Sequence, residues 1–231
     1  YIYKWNLTFK IYNNIISISL YGVYLFTYLI IQFIFSFINN FIKYRKKNYN
    51  YINNNKYEKS VNIIVAGYQE NEEYFKSCLI SIKNIYENSN IINKVYIMID
   101  GNEPEDKYMI DIFEDIFYKT SNTDNIDKSL FLINLENYDN KYEYLIPYME
   151  KTINNNIICI SQKHNGKRSV MYTGFQFSFL ENKIYNKNIQ TIFCTDSDTI
   201  IKEECIQEML NGFTNQNIGA VTGNLSIYNK Y

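Results

Sequence analysis

The chain has 231 residues and a mass of 27.7 kDa, room for one domain of ordinary size plus a membrane segment. An apolar fraction of 46%, with 17% aromatic residues, supplies a substantial core, while a formal net charge of −1 excludes the global basic field that a nucleic-acid partner requires. One histidine, His164, excludes a multi-histidine metal centre, and four cysteines (Cys78, Cys159, Cys194, Cys205) without Cys-x-x-Cys spacing fit buried, reduced thiols in a domain facing a reducing compartment.

The chain opens on Tyr1 and stops at Tyr231 just after an apolar run, the pattern expected of a piece of a longer protein. Residues 1–14 are expected to form an extracytoplasmic loop. From Ile15 to Ile38 no residue is charged, which exceeds the roughly 20 residues a helix needs to cross a bilayer, and the span is placed at 15–42. Aromatic rings near both ends suit the membrane interface. Lys43, Arg45, Lys46 and Lys47 follow at once, so the remainder of the chain is expected on the cytosolic side. A buried core helix is the competing reading. A cleaved signal peptide fits worse, because the apolar run is too long and the basic cluster follows it. Residues 43–60 are polar and form a linker.

Past Ser60 short apolar runs alternate with helical patterns. Val61–Ala66 is a β-branched strand, followed by a helix with Phe75, Cys78, Leu79 and Ile82 on one face. Lys94–Ile99 is a second strand, and Tyr108, Ile112, Phe113, Ile116 and Phe117 share the face of a second helix. Leu130–Leu135 and Ile157–Ile160 are further strands. A helix over 167–180 is expected to bury Val170, Met171, Phe175 and Phe179. Thr191–Cys194 is a strand, Glu203–Phe213 a helix buried through Ile206, Met209 and Leu210, and Ile218–Val221 a last strand. Such alternation predicts an α/β domain over 61–231, its mainly parallel sheet covered on both faces.

Ligands of such sheets collect beyond the carboxyl ends of the strands, where this chain carries Gly67–Glu70, Asp100 and Asp196–Asp198. Asp196 and Asp198, one residue apart at a strand end, offer oxygen ligands for a hard cation such as Mg²⁺ or Mn²⁺, which can bridge carboxylates to a diphosphate. An exposed acidic turn is the alternative. An EF-hand-like calcium loop is excluded by Ile200 and Ile201, where oxygen ligands would be needed. Gly166-Lys167-Arg168 precedes a helix: glycine admits close approach, the helix N-terminus favours an anion, and Lys167 or Arg168 adds full charge. A solvated basic loop is the other reading. Tyr68 can stack on a base with Glu70 hydrogen-bonding nearby, or be one more surface tyrosine among 24. Asp100 can accept bonds from a uracil or ribose, or cap a turn with Gly101. His164 is expected to be a loop residue with a local hydrogen bond.

Val61–Glu70 (VNIIVAGYQE), Tyr96–Asn102 (YIMIDGN), Gly166–Phe175 (GKRSVMYTGF), Thr195–Thr199 (TDSDT) and Val221–Tyr231 (VTGNLSIYNKY) together resemble the hyaluronan synthases, processive membrane-embedded members of the family-2 glycosyltransferases with a GT-A fold. The resemblance runs from the span to Tyr231, and GKR-x-x-MYT-x-F is its most specific piece.

It implies that Tyr68, Glu70 and Asp100 line a uridine pocket, that Lys167 and Arg168 approach the diphosphate, and that Asp196 and Asp198 form the nucleotide–metal site. Asp196, Asp198 and Lys167 are then the catalytic set. Asn224 stands where relatives carry an aspartate near the acceptor sugar, and the family's acidic base motif and Gln-x-x-Arg-Trp motif are absent from these residues. The implied activity is inverting transfer from UDP-N-acetylglucosamine and UDP-glucuronate to a growing polysaccharide, by an integral protein of the plasma membrane; this piece alone is expected to be inactive. A chitin synthase-like polymerase using only UDP-N-acetylglucosamine and a non-catalytic nucleotide-binding membrane scaffold are the rival readings.

Overall fold

The computed structural model describes residues 2–46, 60–118, 128, 131–136, 142–213 and 217–223. The chain divides into two compact units, Tyr1–Tyr51 and Ile52–Tyr231.

The first unit is one helix, α1 (Ile2–Lys46). The expectation of a loop over 1–14 is therefore corrected from Ile2 onward: these residues continue the same helix, since neither proline nor glycine interrupts them. Lys43, Arg45 and Lys46, expected in the linker, form its last turn. Within it Ser19–Asn39 is long and apolar enough to cross a membrane, with a mean hydropathy of 1.8, and side chains such as Phe33 and Phe37 are exposed.

The second unit is a five-stranded sheet: β1 (Val61–Gly67), β2 (Ile92–Ile99), β3 (Leu132–Leu135), β4 (Ile157–Gln162) and β5 (Thr191–Asp196). The spatial order is β3-β4-β2-β1-β5, and every pairing is parallel. Strand β1 is buried at every position, as a central parallel strand covered on both faces must be. Its side chains still divide by the two-residue period. Val61, Ile63 and Val65 join Phe75, Leu79 and Ile82 of α2 (Glu72–Asn88) and Met109 and Phe113 of α3 (Lys107–Phe117). Ile64 and Ala66 face the opposite way, with Met149 of α4 (Ile146–Thr152) and Val170, Phe177 and Leu180 of α5 (Lys167–Tyr185). A short helix, α6 (Cys205–Leu210), adds Ile206 and Leu210 to the first cluster. This is the mainly parallel α/β domain, covered by helices on both faces, that the alternation of strands and helices predicts.

Two sequence expectations fail here. Ile218–Val221 is not a strand. In α5, Phe175 and Phe179 are 37% and 59% exposed and Met171 is half-buried; the buried face is Val170, Thr173, Gly174, Phe177, Ser178, Leu180 and Glu181. Apolar residues occur all round α5, so their spacing selects no face. The sheet selects one: a Cβ on Gly174 would meet Ile64 at 3.0 Å, so this side of α5 must be small to lie close.

That face also carries Glu181, whose Oε1 lies 3.1 Å from Lys94 Nζ, both side chains buried. Asn62 Nδ2 donates to Glu181 Oε2 at 2.9 Å and to Ser178 Oγ at 3.1 Å. Burial lowers the Lys94 ammonium pKa and Glu181 opposes that shift. Truncating one member of a buried pair strands the other charge, so Glu181→Ala is expected to cost about 3–5 kcal/mol in urea unfolding, whereas Lys94→Met with Glu181→Leu returns close to wild type. A loss below about 1 kcal/mol for Glu181→Ala would show that the pair does not hold α5.

Candidate active site

Helix α2 leaves β1 on one face of the sheet, while α5 crosses the other face from β4 to β5 on the far side of β1. The connections therefore diverge beside β1, the place where open α/β sheets bind ligands. The loops ending β1, β2, β4 and β5 supply the polar groups there.

At the end of β1, Tyr68 and Glu70 flank Gln69, which takes a left-handed conformation (φ 46°). Tyr68 is exposed. Glu70 Oε1 accepts from Ser197 Oγ at 2.9 Å, and the Glu70 carbonyl accepts from Tyr108 Oη at 2.7 Å. Ser197 is fully buried, and its N–H donates to the Ala66 carbonyl. The Asp-Ser-Asp turn is thus held against β1 by its middle residue, leaving Asp196 and Asp198 outermost and exposed. Gly67 makes this possible, since a Cβ there would lie 2.2 Å from Ser197 Oγ.

At the end of β2, Asp100 is 1% exposed and its N–H donates to the Gly67 carbonyl at 2.9 Å. Its Oδ1 accepts from the Asn165 N–H at 3.0 Å. His164 Nδ1 lies 3.0 Å from both the Asp100 carbonyl oxygen and Oδ2. One N–H can point at only one of them, and the carbonyl has the hydrogen-bonding angle; Oδ2 keeps an electrostatic contact but no aligned donor. The His164 bond is therefore not local, as expected from sequence, but reaches a residue 64 positions away. Gly101 follows because the Asp106 carboxylate occupies the space where a Cβ would be.

Helix α5 starts at Gly166 (φ 90°) with no side chain capping it. Lys167 Nζ forms an ion pair with Asp196 Oδ1, both side chains about half exposed. Pairs this exposed are worth only about 0–1 kcal/mol, so Lys167 can leave Asp196 for a more demanding anion at little cost.

The structure thus links Gly67, Asp100, Glu70, Lys167 and Asp196 through one set of contacts, with Tyr68 stacked on His164 (centroids 4.0 Å apart, planes 22° apart). Asp198 and Arg168 are exposed at the rim, and Asp198 Oδ1 accepts from Thr199 Oγ1 at 3.4 Å. Asn224 lies outside the described residues. Among the described residues no group of three or more His, Cys, Asp or Glu side chains converges as a ready-made metal centre. Asp196 and Asp198, one residue apart and both exposed, offer the oxygen donors that a hard cation takes. A neighbouring cavity of about 460 Å³, lined by Asn102, Asp106, Asn134 and Ser161, lies beside β3 and β4 rather than over Lys167. Ser197 and Asp106 carry no role in the sequence reading; Ser197 stands between two assigned acids, the one hint available, whereas Asp106 reaches Gly101 only through the fold.

No family model matches the chain. It is 33% identical to hyaluronan synthase 2 of Xenopus laevis over 223 residues, and 32% identical to hyaluronan synthase 2 of Homo sapiens and hyaluronan synthase 3 of Mus musculus over 230 residues each. Each alignment takes in 95% of this chain and 38% of the relative. The chain is hyaluronan synthase-like along nearly all of its length. It spans well under half the length of those hyaluronan synthases.

Gly67→Ala must displace Ser197, whose Cβ would also be only 2.6 Å away. Overpacking of this kind costs about 1–3 kcal/mol, read as a lower urea midpoint at unchanged m-value. An unchanged midpoint would mean that the Asp-Ser-Asp turn moves freely and does not depend on Ser197.

Proposed function

We propose that the chain is the donor-binding part of a membrane-bound glycosyltransferase that extends hyaluronan by inverting transfer from UDP-N-acetylglucosamine and UDP-glucuronate. The observation that carries the reading is the Lys167–Asp196 pair: it joins the start of α5 to the end of β5 in a chain that is hyaluronan synthase-like on both sides of it. In this reading the base lies by Tyr68, with Asp100 and Glu70 at the uridine end, and the diphosphate lies by Lys167 and Arg168. The α5 N-terminus directs its partial positive charge the same way.

Asp196 and Asp198 would hold the Mg²⁺ or Mn²⁺, which when bound offsets the charge that builds on a departing diphosphate. Lys167 leaves Asp196 for the phosphate oxygens and stabilises the same charge directly. An acceptor hydroxyl attacks the anomeric carbon from the face opposite the leaving UDP, which inverts its configuration. No residue of this chain is assigned as the base that takes the hydroxyl proton. The apolar part of α1 crosses the bilayer, and Lys43, Arg45 and Lys46 after it keep the α/β domain in the cytosol, at the plasma membrane.

Membranes carrying the full-length protein, given each radiolabelled donor alone and both together, are expected to form hyaluronidase-sensitive polymer only with both. Polymer from UDP-N-acetylglucosamine alone would replace this reading with a chitin synthase-like one.

Lys167→Ala removes a charge-assisted bond to phosphate, so UDP affinity is expected to fall about 10- to 100-fold by calorimetry while uridine affinity stays within about twofold. Equal losses for both ligands would remove Lys167 from the diphosphate. Asp198→Asn is expected to abolish the part of UDP affinity that depends on Mn²⁺; an unaltered Mn²⁺ dependence would defeat the metal assignment.

A further inference from the structure

We infer that His164 is a positioning residue for the nucleobase: it holds the Tyr68 ring in place from one face and leaves the other face for the base. The inference rests on the nucleotide reading above and assigns a new residue within it. Tyr68 follows Gly67 at the exposed rim, and its ring contact is with His164, at 4.0 Å between centroids and 22° between planes. A tyrosine on a strand end otherwise rotates about two side-chain bonds, and a base stacking on it would have to stop that rotation first.

His164 stops it in advance, because His164 is itself fixed. Its Nδ1 bonds the Asp100 carbonyl at 3.0 Å, and Asp100 is buried, tied to Gly67 through its own N–H and to Asn165 through Oδ1. Order therefore passes from the sheet to Asp100, to the imidazole, and to the Tyr68 ring. The backbone under Tyr68 is equally constrained, since Gln69 adopts φ 46° and its Nε2 donates to the buried Asp106 at 3.3 Å. Both His164 and Tyr68 are exposed, which gives a base access to the tyrosine ring.

The test measures binding of uridine, UDP and Mn²⁺-pyrophosphate to the detergent-solubilised full-length protein and to His164→Ala, His164→Phe, Tyr68→Ala and the Tyr68→Ala/His164→Ala double variant. His164→Ala should weaken uridine and UDP alike, by about 3- to 10-fold, the worth of one aromatic stack. It should leave pyrophosphate unchanged. His164→Phe, which keeps the stack, should recover to within about twofold of wild type. In the Tyr68→Ala background, loss of His164 should cost nothing further, because it acts through Tyr68.

Wild-type uridine affinity in His164→Ala, a gain in affinity, an equal loss for pyrophosphate, or additive losses in the double variant would each overturn the inference while leaving the nucleotide reading intact. Failure of the wild-type protein to bind UDP would overturn both.

Discussion

The buried pair of Glu181 and Lys94 governs more of this molecule than any group at the candidate site. A helix rises 1.5 Å per residue, so pinning Glu181 near the amino ends of the strands places Lys167, fourteen residues earlier, about 21 Å away at their carboxyl ends. The neighbouring bonds from Asn62 to Glu181 and Ser178 fix the helix rotationally as well as axially. Because a half-satisfied buried charge is costly, α5 cannot slide by a turn without stranding Lys94. The position of Lys167 opposite Asp196 is therefore decided at the other end of the helix, by residues that touch no ligand in the proposed chemistry.

Two ion pairs made by α5 show why burial matters more than distance. Lys94–Glu181 is enclosed and works as a lock, whereas Lys167–Asp196 is half exposed, screened by water and weak. A lock suits the scaffold. A weak pair suits a group that, on the proposed reading, must exchange its partner whenever a diphosphate arrives and leaves. The turn divides its labour in the same manner: Ser197 packs into the space Gly67 leaves by lacking a Cβ and bonds Glu70, while Asp196 and Asp198 on either side stay exposed.

How much of this could be read from the residues follows from the range of each interaction. Strands β1 and β2 were legible because central parallel strands read as near-continuous apolar runs, which polar residues such as Asn62 and Lys94 interrupt only near their amino ends. The helical character of α5 was equally plain, but its buried face was not: Phe175 and Phe179 are larger and more apolar than Gly174 and Ser178, yet the close approach to Ile64 excludes bulk. The expected strand at Ile218–Val221 failed although its residues are apolar enough, since composition does not say whether an edge is available to pair with. At the candidate site the acids, Lys167 and Tyr68 were visible as strand-end and helix-start residues, which is a local property. The role of His164 was not, because its partners Tyr68 and Asp100 come from other strands and no spacing rule connects them.

The charge balance at the strand ends bears on the metal. Glu70, Asp100, Asp196 and Asp198 gather where Lys167 and Arg168 of α5 bring positive charge, so an anionic diphosphate meets more carboxylates than these two cations offset. Cys78, buried beneath the Asp-Ser-Asp turn with Sγ 3.7 Å from the Asp196 carbonyl, registers that field: burial first, then Asp198, with smaller contributions from Glu70 and Asp196, pushes its thiol up to about 12. Lys167 and Arg168 offset only two of the four carboxylates, and a divalent cation held by Asp196 and Asp198 would offset the other two. On the proposed reading the metal thus answers the acids themselves, independently of which sugar the nucleotide carries.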